Sequence, residues 1–208
     1  MLTTYLGHYI LVHLSEMIER QGFLLDAGSD CIILSEKGHN HYIPVRHIQE
    51  ILLDGEVEPP SSEFNGKTSF RKSLMSAKGR NVQVLLGKNM VLNGYIMSIM
   101  NNYFVFYSPI YKTIFISMDH VKSMTFDDMD APYGQVERAF QPSKLALSRT
   151  FEEQIQKLIG QLVVFNLGDI PQKSGTLLGV EDGLVGLIPA HGNETYLSIR
   201  HIRSFYIP

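Results

Sequence analysis

Three histidines at equivalent positions carry the chemistry that this 208-residue sequence most readily suggests. His47 and His201 each follow an arginine, whereas His120 follows an aspartate. A guanidinium group can bind phosphate through two parallel hydrogen bonds, and an imidazole can donate or accept one, so such a turn suits a polar ligand or RNA. The same residues could instead be architectural, with the imidazole bridging backbone groups and the arginine in a surface salt bridge. The candidate binding turns are Arg46-His47, Asp119-His120 and Arg200-His201.

Four of the other five histidines could suggest a metal site, because side chains two residues apart on a strand point the same way. They are His8, His13, His39 and His41, and no cysteine or carboxylate stands at a matching ligand spacing. The sequence also lacks a Gly-x-Ser-x-Gly motif, a glycine-rich phosphate loop and a paired-carboxylate motif. We therefore expect a protein that is not an enzyme, with no catalytic residue, no metal and no cofactor.

The candidate turns belong to an internal repeat. Two glycines 15 residues apart occur three times, and a histidine lies 25 or 26 residues after the second glycine of each pair. The pairs are Gly7 and Gly22, Gly79 and Gly94, and Gly160 and Gly175. Alternating apolar residues follow the first glycine, as at Ile10, Val12 and Leu14, which indicates a strand with one buried face.

Each repeat then continues with the signals of further strands. A turn-forming pair that tolerates positive φ precedes the third strand, at Ser29-Asp30, Asn101-Asn102 and Asp182-Gly183. The closing segment predicts a fourth strand, a very short turn at the histidine and a fifth strand. Its three copies are 42–48, 115–121 and 196–202.

A short helix is predicted before the second and third repeats. Thr150 to Glu153 reads as a capping box, and Gly160 is a natural helix terminator. The apolar face of this helix would contain Phe151, Ile155, Leu158 and Ile159, and its counterpart before Gly79 would contain Phe70, Leu74 and Ala77. The first repeat has only six residues ahead of Gly7, so its helix is absent or truncated.

These signals predict a mainly β protein made of three tandem small five-stranded barrels. The first barrel spans 1–54, a helix and the second barrel span 69–126, and a helix and the third span 148–208. The segments 55–68 and 127–147 read as linkers. A unit of about 50 residues buries too little surface to be stable alone, so the three should pack together or onto another chain.

A short helix followed by five bent strands, with a tight turn between the fourth and fifth, resembles the Sm-like (LSm) barrel, an SH3-like fold. The resemblance rests on Gly22, Gly94 and Gly175 in the bent second strand and on the three histidine turns. Sm-like proteins carry Arg-Gly at this turn, and the bacterial Sm-like RNA chaperone carries Lys-His. The resemblance implies modules that join through their fourth and fifth strands, and RNA binding at the turn. The second-to-third-strand loop is one residue shorter than in Sm-like RNA binders, and Asp119 stands where they would need a cation.

Two other resemblances remain open. The Tyr-Ile-Pro-x-x-His-Ile pattern that starts at Tyr42 is similar to that of short uncharacterised proteins from spore-forming bacteria. A barrel of the photosynthetic reaction-centre type, which also uses an Ile-Pro strand, is the competing fold.

Composition limits the possible environments and partners. Hydrophobic residues at 44% and charged residues at 19% are typical of a globular protein, and a net charge of −3 does not favour nucleic acid. Cys31 is the one cysteine, which fits a reducing compartment. The first residues lack the basic segment of a signal peptide, and no apolar run approaches the roughly 20 residues of a spanning helix. We expect a cytoplasmic protein that does not contact membranes.

The function predicted from the sequence is non-enzymatic binding and assembly, with self-association through strand edges. Two chains could contribute six modules to a ring-like assembly, and a compact three-lobed monomer is the alternative. The rival function is an RNA-binding regulator that uses Arg46, His47, Arg200 and His201 in the manner of the bacterial Sm-like chaperone.

Overall fold

The computed structural model describes residues 2–15, 17–57, 68–87, 90–127, 146–168 and 173–208. These ranges are mainly antiparallel β-structure with two α-helices, which confirms the predicted fold class at the level of mainly β. The chain divides into two compact units. One comprises the described residues of Met1–Asn93 and Val121–Gly134, and the other those of Gly94–His120 and Gln135–Pro208. The middle repeat therefore contributes strands to both units.

The first unit is built from the first repeat and the outer parts of the second. Its elements are β1 (His8–Ser15), β2 (Ile18–Ala27), β3 (Cys31–Glu36), β4 (His39–Pro44), β5 (Glu50–Val57), α1 (Phe70–Ala77), β6 (Asn81–Gly87) and β10 (Ser123–Asp127). The strands follow the order β6-β10-β4-β3-β2-β1-β5. A four-residue 3-10 turn at Leu2–Tyr5 takes the place of a first-repeat helix. Apolar residues of β1 to β4, such as Val12, Leu24 and Ile32, form the core.

The second unit combines the inner part of the second repeat with the third repeat. Its elements are β7 (Met90–Ile99, from Gly94 onward), β8 (Tyr103–Ser108), β9 (Lys112–Ser117), α2 (Phe151–Gln156), β11 (Leu162–Phe165), β12 (Ser174–Glu181), β13 (Leu184–Ile188), β14 (Thr195–Ser198) and β15 (Ser204–Tyr206). The strand order is β14-β13-β12-β11-β15-β9-β8-β7. Its core contains Tyr103, whose buried hydroxyl donates to the Ser148 carbonyl at 2.8 Å. Burial raises the pKa of Tyr103 to about 12.

The predicted repeat is confirmed in the strand registers. The fifth strand of each repeat returns to its first strand in one register, which pairs Val12 with Ile51, Val84 with Met124 and Phe165 with Phe205. A bulge in the second strand falls at the same place three times, after Leu24, Ile96 and Leu177. Because a one-residue slip would turn every side chain to the opposite face, shared registers mean that equivalent residues occupy equivalent environments.

The two glycines of each pair are required for different reasons. A Cβ on Gly22, Gly94 or Gly175 would collide with the backbone carbonyl oxygen of the paired third strand, at Ser35, Tyr107 and Ile188 respectively. Only glycine permits this close approach of two backbones. The first glycines have left-handed φ values, of 82° at Gly7, 81° at Gly79 and 82° at Gly160.

The two helices begin where the sequence predicts. Ser69 caps α1, which buries Phe70, Leu74 and Ala77, and Thr150 with Glu153 forms the predicted capping box of α2. The expectation that Ile159 shares the buried face of α2 is wrong, since its side chain is 54% exposed. The cause is that α2 ends at Gln156, so Ile159 lies in the turn that leads to Gly160.

Three further details differ from expectation or lie outside the described residues. Strand β5 continues to Val57, three residues beyond the predicted end of the first barrel at 54. Most of the predicted linkers 55–68 and 127–147 lie outside the described residues. Of the turn-forming pairs, only Asp182 (φ 49°) and Gly183 (φ 74°) adopt positive φ. The other two pairs have no positive φ, and the second residue of each bonds to the following helix, as described below.

Candidate functional site

Two turns lie side by side in every repeat. The chain between the fourth and fifth strands forms a single 3-10 turn, at Val45–His47, Met118–His120 and Ile199–His201. The first N–H of each turn donates at 2.9 Å to the backbone carbonyl of the second-to-third-strand turn, with Asp30, Asn102 and Gly183 as acceptors. The predicted binding residues thus have the same geometry in all three repeats, next to the hairpin turn of their own repeat.

The six predicted turn residues differ in exposure. Arg46, Asp119, Arg200 and His201 are exposed, whereas His47 and His120 are half-buried. The His47 ring contacts the next repeat, because its Nδ1 lies 3.1 Å from Nζ of Lys122. The carbonyl of His201 accepts from the Asn166 side-chain amide at 3.3 Å. The turn of the third repeat is therefore the one in which both predicted residues face solvent.

The hairpin turns of the first two repeats hold the following helix. A side-chain oxygen of Asp30 accepts the backbone N–H of Phe70 at 2.9 Å, and that of Asn102 accepts the N–H of Phe151 at 2.8 Å. Both donors are first-turn helix N–H groups, which have no partner inside the helix. Gly183 occupies this position in the third repeat and has no side chain. The sequence analysis missed this role, although the signal was present: an Asx residue ends the turn only where another helix follows.

Strand pairing also joins successive repeats. Within the first unit β4 pairs with β10, where Tyr42 faces Met124. Within the second unit β9 pairs with β15, where Phe115 faces Phe205. Tyr42 is equivalent to Phe115 and Met124 to Phe205, so both pairs join the fourth strand of one repeat to the fifth strand of the next in one register. We call these two pairs the interior junctions.

Aromatic stacking reinforces both interior junctions. Tyr42 stacks on Phe126 with ring centroids 4.6 Å apart and planes inclined by 13°, and Phe115 stacks on Phe205 at 4.6 Å and 6°. The Arg80 guanidinium lies 5.4 Å from the centre of the Phe126 ring, on the first-unit junction. Stacked rings add to the apolar area that the strand pairing already buries.

The outermost described strands each pair with one neighbouring strand and not with two. Among the described strands, β5 pairs only with β1, and β14 pairs only with β13. We call their outer sides the terminal edges. Large apolar side chains on these strands are exposed, namely Leu52 at 45%, Leu53 at 50% and Tyr196 at 61%. The Tyr196 hydroxyl donates to the Glu194 carboxylate at 3.0 Å, which raises the pKa of Tyr196.

The histidines considered for a metal site lie on two strands of the first unit. His8 and His13 are on β1, and His39 and His41 are on β4, where His41 Nε2 lies 3.4 Å from a Glu36 carboxylate oxygen. No group of three or more metal-binding side chains that could hold an ion occurs within the described ranges. In the same ranges, no helix combines the length and apolar character needed to cross a membrane.

Comparison with known proteins places these features in a family. The family model described as "YwrJ third domain" matches residues 150–205. The Bacillus subtilis protein titled "Uncharacterized protein YwrJ" is 32% identical over 202 residues, which cover 90% of each chain. "Spore coat protein B" of Bacillus subtilis is 26% identical over 140 residues, or 67% of this chain and 35% of that protein. The expected similarity to uncharacterised proteins of spore-forming bacteria is confirmed, and the chain belongs to the YwrJ family.

Proposed function

We propose that this chain is a non-enzymatic binding and assembly protein that contributes to a protein coat through self-association of its strand edges. The observation that carries the proposal is the interior junction, because one pairing of fourth and fifth strands is used twice to join repeats. The similarity to a protein titled as a spore coat component supports the setting. Coats are built by repeated protein–protein contacts, and exposed strand edges readily supply such contacts.

The Sm-like barrel is our proposal for the module. Within the first repeat the strand order is β4-β3-β2-β1-β5, and the second strand bends at a bulge beside a glycine. A strongly bent five-strand meander whose fifth strand returns to the first is the arrangement that closes into a small barrel. The 3-10 turn between the fourth and fifth strands supports the same assignment.

Light-scattering mass during size-exclusion chromatography tests the assembly function. We expect the mass of the intact chain to rise with concentration above that of a single chain. Leu52→Lys should weaken association, because it places a charge on a terminal edge. Met75→Lys is the matched control, since Met75 is 62% exposed on helix α1 and not on a strand. A single-chain mass at every concentration would refute the proposal.

RNA binding is the second candidate, favoured by the exposure of Arg200 and His201 next to Gly183. If it is correct, uridine- or adenine-rich RNA should shift the protein in a gel, with affinity that falls steeply as salt rises. Arg200→Ala should weaken binding, while Arg149→Ala, at another exposed arginine, should not. The ratio of absorbance at 260 and 280 nm in the chromatography above also reports co-purified RNA, against the low 280 nm signal of a chain without tryptophan. A flat titration at low salt would exclude this function.

A further inference from the structure

At the interior junctions each fourth or fifth strand pairs with a strand on both sides, whereas the strands at the terminal edges pair on one side only among the described strands. Each fourth or fifth strand inside the series has two neighbours: β4 lies between β3 and β10, and β15 lies between β11 and β9. The fifth strand of the first repeat and the fourth strand of the third repeat each have one neighbour among the described strands. These are β5 and β14, so the described part of one chain carries one unpaired edge of each kind.

Positions that the interior junctions cover are exposed at the terminal edges. Tyr196 is 61% exposed, whereas its counterpart Phe115, which pairs with Phe205 of β15, is 1% exposed. Leu53 is 50% exposed, whereas its counterpart Phe126 is 8% exposed. Each terminal edge therefore presents apolar surface where the corresponding interior strand has it covered by a neighbouring repeat.

The second-unit interior junction also contains a backbone hydrogen bond whose donor and acceptor positions both have counterparts on the terminal edges. The Ser117 N–H donates to the Arg203 carbonyl at 2.9 Å, immediately before the 3-10 turn. Ser198 is equivalent to Ser117 and Gln49 is equivalent to Arg203. Ser198 retains the N–H that this bond requires, and Gln49 is exposed.

We infer that the partner of each terminal edge is a second copy of this chain, with β14 of one copy pairing antiparallel with β5 of the next. Transfer of the interior register places Tyr196 opposite Ile51 and Thr195 opposite Leu52. The inference rests on the proposed assembly function and specifies its partner, strands and register. A second copy fits because β14 and β5 are the two halves of a junction that this sequence already makes twice.

The predicted contact is head to tail. Because the two edges differ, each chain uses β14 toward one neighbour and β5 toward the other, and association can continue beyond a dimer. Such a contact closes into a ring if its rotation allows and otherwise extends as a filament.

Single-cysteine variants test both partner and register. Directly opposite residues on antiparallel strands have Cα atoms about 4.5–5.5 Å apart, which suits a disulfide. Two intact-chain variants, Thr195→Cys and Leu52→Cys, are mixed and treated with a mild oxidant, with a size tag on one. Native Cys31 is 0% exposed, and the untagged natural chain controls for its reaction. We expect a disulfide-linked dimer of unlike chains in the mixture and none from either variant alone.

A slipped pair controls for register. Thr195→Cys mixed with Leu53→Cys should give about tenfold less cross-linked dimer, because a one-residue shift turns the cysteine to the opposite face of the strand. Equal yields from the two mixtures would overturn the register. Cross-linking of Leu52→Cys with itself would show that like edges pair, and would overturn the head-to-tail contact.

Mass measured on the same samples separates this inference from the proposed function. Association without unlike-chain cross-links overturns the contact between β14 and β5 and leaves self-assembly standing. A single-chain mass at all concentrations, with no cross-links, overturns both.

Discussion

Replacing Asn102 with alanine removes the side-chain oxygen that receives the Phe151 N–H, 2.8 Å away, at the start of the third repeat. The N–H lies in the first turn of α2, where no helical carbonyl can replace the lost acceptor. The interaction is partly buried, so water only partly replaces it. A net hydrogen bond contributes about 1 kcal/mol and an orphaned buried donor costs about 1–3 kcal/mol, so we expect a loss of about 1.5 kcal/mol in unfolding free energy.

Urea unfolding followed by far-UV circular dichroism measures this change. With a denaturant slope of about 2 kcal/mol per molar, the Asn102→Ala midpoint should fall by about 0.7 M. Asn101→Ala is the matched control in the same turn. The Asn101 side chain is exposed, and its backbone N–H, which donates to the Arg149 carbonyl at 3.1 Å, is kept in the variant. We expect the control to change stability by less than about 0.5 kcal/mol. Equal midpoints for the two variants would refute the role assigned to Asn102.

Three further predictions follow from burial and charge. Gly94→Ala should cost about 2–3 kcal/mol in urea unfolding, because its Cβ would collide with the Tyr107 carbonyl, whereas Gly186→Ala should cost less because its nearest neighbour is the Tyr196 ring edge at 3.2 Å. Burial raises the pKa of the Cys31 thiol from 9.0 to about 12. The unfolded chain loses this proton above pH 9 while the folded chain keeps it, so stability should fall by up to about 1.4 kcal/mol per pH unit toward pH 12, and an unchanged slope in Cys31→Ala would contradict this. Glu50→Ser should strengthen self-association about tenfold in light scattering, because the equivalent residues of the interior junctions are the buried serines Ser123 and Ser204; weaker association would contradict it.

Much of the local structure could be predicted because it depends on residues close in sequence. The capping box at Thr150 needs only four consecutive residues, and it forms as predicted. Spacing alone shows that Gly22 is a repeated position, and the resemblance to Sm-like barrels implies that it lies in a bent strand. Its close approach to the Ser35 carbonyl becomes visible only with the paired strand in place. Ile159 was misplaced because helical periodicity does not show where a helix stops, and α2 ends three residues earlier.

The candidate site was less predictable, because it depends on how repeats meet. The histidine turns were located correctly along the chain, but their sequence does not show that Lys122 of the next repeat contacts His47. Alternating apolar residues around Tyr42 and around Met124 predict one buried face for each segment. They do not show that the two segments pair with each other. Edge pairing between repeats depends on backbone hydrogen bonds that any residue except proline can supply, so it leaves little trace in residue identity.

The division of the middle repeat between two units has a consequence for synthesis on the ribosome. The first unit contains β4 and also β10, its partner from Val121 onward, while residues 94–120 between them belong to the other unit. The amino-terminal unit therefore cannot complete its sheet until the nascent polypeptide has emerged past Asp127, well after its first five strands are available. Neither unit is one continuous stretch of the polypeptide, so a single cut between residues 93 and 121 would leave β4 and β10 on separate fragments.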